Sequence, residues 1–143
     1  MILITISKSL LLLFLGYFAY TDGTTRKVGL LPLAAAFVSG AALQITAGEI
    51  RLYELALGCA VGVVLVLISY LSRGALGMGD ALLFITSGAF LGIRENIFLL
   101  FFSLVLAAVF SAVMLIFRKR SLKDSFPFAP FILGGYVCVL SML

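Results

Sequence analysis

The 143-residue chain has no histidine and no tryptophan, only three prolines and two cysteines, and just 11% charged residues. Cys59 and Cys138 lie far apart in apolar runs and form no Cys-x-x-Cys pair. With no histidine available, a Cys/His zinc site is excluded. Both thiols read as buried and structural, and no metal or other cofactor is expected. No basic patch interleaved with aromatics is present either, so nucleic acid is not an expected partner. The scarcity of charge says most. Soluble domains are about half apolar and about a quarter charged, whereas this chain is 64% hydrophobic with a mean hydropathy of +1.28. It reads as an integral membrane protein with no room for a separate soluble domain.

A bilayer core about 30 Å thick needs roughly 20 apolar residues in a helix. Five segments approach that length: Ile2 to Tyr20, Val28 to Thr46, Leu52 to Leu71, Asn96 to Phe117, and Pro127 to Leu143. They lack the period-two alternation of barrel strands, so they are helices. A sixth segment, Asp80 to Ile93, is shorter. It spans fully only if it starts nearer Gly74, and otherwise forms a short helix with a recessed, protein-lined entrance. The expectation is an all-α, polytopic fold of six transmembrane helices, one domain over residues 1–143. Lys8 ahead of an apolar run loosely resembles a secretory signal, but the cleavage pattern around Ala19-Tyr20-Thr21 is poor, so the segment reads as a retained first span.

The net charge of +4 reads as a topology signal. The first, third and fifth connections carry Arg26, Lys27, Arg73, Arg118, Lys119, Arg120 and Lys123, while the second and fourth carry only Arg51 and Arg94. The positive-inside rule puts the first group in the cytoplasm and both termini outside, with Lys8 snorkelling toward the outer face. Asp22, placed at the start of the first connection, and Asp80, at the end of the third, then share the cytoplasmic side at similar depth.

An ionisable residue at membrane depth is costly and marks a functional site by default. Two carboxylates sharing a low-dielectric site hold a single proton near neutrality. The ionised member can activate water while the protonated one polarises a carbonyl. Gly77 and Gly79, on the N-terminal side of Asp80, let an extended peptide approach closely. Plainer readings exist beside this one. Asp80 suits a helix N-cap, Asp22-Gly23 suits a turn, and a proton-coupled transporter also uses paired intramembrane acids. Gly58/Gly62 and Gly88/Gly92 form two Gly-x-x-x-Gly pairs, whose ordinary role is close helix packing.

Gly77-Met78-Gly79-Asp80 resembles the Gly-x-Gly-Asp signature of intramembrane aspartyl proteases, and most closely that of the prepilin peptidases. The run Asp22 to Leu30 is similar to that family's Asp-x-x-x-Arg-x-Ile-Pro-Asn, with Gly29-Leu30 in place of Pro-Asn. Pro127-Phe128-Ala129-Pro130-Phe131 is similar to its Pro-Phe-Gly-Pro-Phe. Leu82 stands where the family often has lysine. The resemblance implies Asp22 and Asp80 as the catalytic pair, with Gly77, Gly79, Pro127 and Pro130 shaping the site. It implies prepilin-like substrates with a short basic leader, cut at the cytoplasmic face of a bacterial or archaeal cytoplasmic membrane. Their apolar helix would lie against the spans amid membrane lipid. The paired-cysteine methylation segment of larger relatives is missing, so a peptidase-only form such as those serving Flp-type pili is implied. The departures at positions 29, 30 and 82 leave a non-catalytic pilus-assembly factor as a further alternative.

Overall fold

The computed structural model describes residues 2–25, 28–48, 50–73, 77–117 and 127–142. Arg26, Lys27, Gly74 and the basic residues between Arg118 and Lys123 lie outside the described residues. Among those described, the chain is all α-helix: α1 (Ile2–Thr25), α2 (Leu30–Ala47), α3 (Leu52–Leu71), α4 (Met78–Ile116) and α5 (Ala129–Met142). The first four are long and apolar enough to cross a membrane.

At 39 residues, a straight α4 would run about 58 Å, nearly twice a bilayer core. It is not straight. The Asn96 amide nitrogen donates to the Phe84 carbonyl at 3.0 Å, although twelve residues of unbroken helix would separate the two by about 18 Å. The chain therefore doubles back between them, at Gly92, whose φ of 73° and ψ of −174° are not helical. Only glycine adopts this combination without strain. Two helical segments result, 78–91 and 93–116. Asn96 clasps the fold-back: it also donates to the Gly58 carbonyl at 2.9 Å and accepts from the Ser87 hydroxyl at 2.7 Å. Gly92→Ala is expected to lower stability by about 1–3 kcal/mol, the cost of a disfavoured backbone at a non-glycine residue. The check is thermal unfolding in detergent, followed by circular dichroism.

The first segment of α4 is the central element. Ala81, Leu83, Phe84 and every residue from Thr86 to Gly92 are buried, and a helix apolar on all sides belongs inside a bundle. Leu11, Leu15 and Phe18 of α1 and Ile132, Tyr136 and Val139 of α5 face the same core, each set at helical spacing. The α3 seam is made of small residues. A side chain at Gly58 would strike the backbone of Gly92, and one at Gly62 the backbone of Ile85. The Gly-x-x-x-Gly pairs therefore do what their spacing suggests. Gly92 has the second task of turning the chain.

Three sequence expectations change, those for Asp22, Arg94 and the cysteines, and one choice left open, at Asp80, is decided. Asp22 is not in a connection: α1 continues through it to Thr25, with the hydroxyls of Thr21, Thr24 and Thr25 bonding to carbonyls of the preceding turn. Arg94 is not in a connection either, because a single residue makes the turn and helix resumes at once. The segment holding Asp80 takes the shorter of its two geometries, starting at Met78. Cys59 and Cys138 are free thiols but only half-buried.

Candidate active site

The chain's reversals bring distant residues to one end of the bundle. Asp22 lies in the last turns of α1 and Asp80 in the first turn of α4. Val28, in the link between α1 and α2, packs on Gly79, where a Cβ would stand 2.8 Å from the valine Cγ2. The start of α5 arrives beside Asp22, and the Ala129 backbone N–H donates to Asp22 Oδ2 at 3.2 Å. All three motifs singled out in the sequence meet at this end.

Each carboxylate sits at a helix N-terminus. Asp22 is buried and occupies the N-terminal end of α5, where Ala129 offers one of the amide donors that the first helical turn leaves free. Pro127 and Pro130 bracket that residue, and Pro130 itself has no N–H to compete. Asp80 is half-buried at the N-terminal end of its own helix. The aligned peptide dipoles place partial positive charge at both sites, which favours an anion. The two carboxylates are near enough for the charge of Asp22 to act on Asp80.

The two glycines have separate reasons. Gly77 caps α4 in extended conformation, and a Cβ there would lie 2.5 Å from Asp80 Oδ2. Its missing side chain is the space the carboxylate fills. Gly79 makes room for Val28. Gly77→Ala is therefore expected to rotate the Asp80 carboxylate aside while leaving the fold intact, since alanine adopts φ −60°, ψ 125° without strain. A misplacement of about 1 Å costs about 10²-fold in rate. Cleavage kinetics paired with a melting curve separates that loss of activity from a loss of stability.

Sequence reasoning placed both acids at one end but missed what holds Asp22. The clue was the Pro127 to Phe131 run, read as a helix start. A helix start presents free N–H groups, and one of them is the donor to Asp22. At the departures, Gly29 caps α2 in extended conformation, Leu30 is exposed, and Leu82 packs against the core. No cation therefore stands at position 82. A paired-acid site of this kind can activate water against a carbonyl if one member holds a proton.

A family model described as the type IV leader peptidase family matches residues 9–112. That range holds Asp22, Gly77, Gly79 and Asp80, and stops short of the Pro127 to Phe131 run that donates to Asp22. No curated protein and no solved structure matched the chain.

Proposed function

As the chain belongs to the type IV leader peptidase family, we propose that it is an intramembrane aspartyl endopeptidase. It removes the leader of prepilin-like proteins at the cytoplasmic face of the cell membrane, with Asp22 and Asp80 as its catalytic pair. One observation carries the reading: two acids 58 residues apart in sequence reach the same end of the bundle, on separate helix N-termini, with the charge of Asp22 acting on Asp80. With α4 counted as two segments, six passes are proposed, with the acids on the side of the first, third and fifth connections; four of the helices are of spanning length and α5 is a shorter one of 14 residues. The basic residues of those connections make that side cytoplasmic and put both termini outside.

In the proposed reaction the ionised acid takes a proton from water as the water oxygen attacks the scissile carbonyl. The protonated acid donates to the carbonyl oxygen; as the C–N bond breaks, the proton taken from water passes to the leaving nitrogen, and a hydroxyl of the intermediate returns its proton to the other acid as the new carboxyl forms. The two acids act together, so neither role is tied to one residue. Gly77 and Gly79 leave the entrance to α4 without side chains, where an extended substrate backbone fits. The apolar helix that follows a prepilin leader lies against the spans in lipid.

The test is co-expression with a candidate prepilin, followed by gel shift and mass of the product. Loss of the leader is expected, and it should need both acids. Cleavage that persists in both Asp22→Asn and Asp80→Asn would overturn the proposal. Pilus assembly unaffected by either change would point to a non-catalytic assembly factor, and proton-dependent solute uptake without cleavage would point to a transporter.

A further inference from the structure

The end of the bundle opposite the acids holds a cleft of about 380 Å³ whose lining includes Lys8 of α1, Glu54 of α3, and Arg94 and Glu95 just past the α4 turn. We propose that this cleft binds a phosphoethanolamine group, the headgroup of an aminophospholipid. The charges count first. Two cations and two carboxylates sum to zero, which suits neither a bare phosphate nor a bare amine but suits a ligand carrying one of each. Glu95 feels the charges of both Lys8 and Arg94, yet among the described residues no direct ion pair joins any two of the four. Arg94 is exposed and Glu54 accepts from the Tyr53 hydroxyl at 3.4 Å, but Lys8 and Glu95 are half-buried without an ion pair among the described residues, and a bridging zwitterion supplies each of them with an opposite charge.

Placement supports the same ligand. Ile93, Arg94 and Glu95, the start of the helical segment that resumes after Gly92, line this cleft together with Lys8, and a helix start favours a phosphate. Glu54 and Glu95 remain for the ammonium. Gln44 also lines the cleft, but its amide is committed to the Phe90 carbonyl and the Ser7 hydroxyl, so it forms a fixed wall. Ile4 and Ile50 supply apolar lining, suited to the glycerol and upper acyl carbons of a lipid. Residues from the first turns of α1 and α3 and the last turn of α2 line the cleft, which puts it at headgroup depth for helices of spanning length.

The experiment exchanges the detergent-purified full-length protein into an equimolar mixture of phosphatidylethanolamine, phosphatidylcholine and phosphatidylglycerol. Native mass spectrometry then counts the retained lipid. Phosphatidylcholine keeps both charges but has no N–H to donate, and phosphatidylglycerol lacks the cation. The expected result is one phosphatidylethanolamine per chain, preferred about tenfold over each competitor, the worth of one charge-assisted hydrogen bond. Glu54→Gln should reduce that preference and Arg94→Gln should reduce the total lipid retained, while the helical signal stays unchanged, since Arg94 is exposed and Glu54 half-buried. Equal retention of the three lipids by the unaltered protein, or an undiminished preference in Glu54→Gln together with undiminished retention in Arg94→Gln, would overturn the proposal. Addition of soluble O-phosphoethanolamine names the source: displacement of the lipid supports binding of the headgroup alone, and retention supports binding of the intact lipid. The readout is lipid mass, so it stands or falls independently of peptidase activity.

Discussion

Asp22→Asn and Asp80→Asn are each expected to lower kcat/KM for leader cleavage by about 10²–10⁴-fold, the worth of a general acid or base. The pair works as a unit, so the double variant should be scarcely worse than either single one. The geometry explains why this test reads chemistry rather than folding. An asparagine at position 22 keeps an oxygen to accept from the Ala129 N–H, so the start of α5 stays docked. At position 80 the amide loses only the attraction between a carboxylate and the helix N-terminus, about 0.3–1 kcal/mol. Melting curves of both variants should lie close to that of the unaltered protein. Single-turnover cleavage of a purified prepilin in detergent supplies the rates, and additive losses in the double variant would sink the idea of a shared site.

The second large effect is expected at Gly62. A Cβ there falls on the backbone of Ile85, and backbone cannot rotate away as a side chain can. Gly62→Val must force α3 away from the first segment of α4, with overpacking that costs about 1–3 kcal/mol. Nor can the loss be recovered elsewhere, because helix association in lipid rests on close packing rather than on a hydrophobic drive. The displaced segment carries Asp80 in its first turn, so activity should fall with stability, in contrast to Gly77→Ala, where activity falls alone. Thermal unfolding and cleavage measured on one preparation distinguish the two. A valine variant as stable as the unaltered protein would show that the seam is loose.

The apolar runs made the helices legible, because a chain with so few charges has little else to form in lipid. The two acids were legible for the same reason: charge is costly in such runs, and the pattern of basic residues put both on one side. The glycine pairs showed where helices approach closely. Three details were hidden. Asp22 reads as the start of a connection because aspartate and glycine suit turns, yet the threonines around it bond back to the preceding turn and carry the helix past it. Gly92 reads as a packing glycine, and its backbone reversal shows only once Asn96 is seen reaching Phe84. The Ala129 donor is invisible because any residue but proline has the same N–H.

Composition and spacing alone therefore determined that this is a helical membrane protein, roughly where its apolar helices lie, and which two carboxylates to propose as a pair. Those properties follow from side-chain chemistry, which is written residue by residue. Only the tertiary structure decided that the first turn of α5 anchors Asp22, that the space left by Gly77 holds the Asp80 carboxylate, and that four charges gather at the opposite end. These depend on backbone groups and on the turn at Gly92. The backbone is chemically the same at almost every position, so its role emerges only when the fold brings distant segments together.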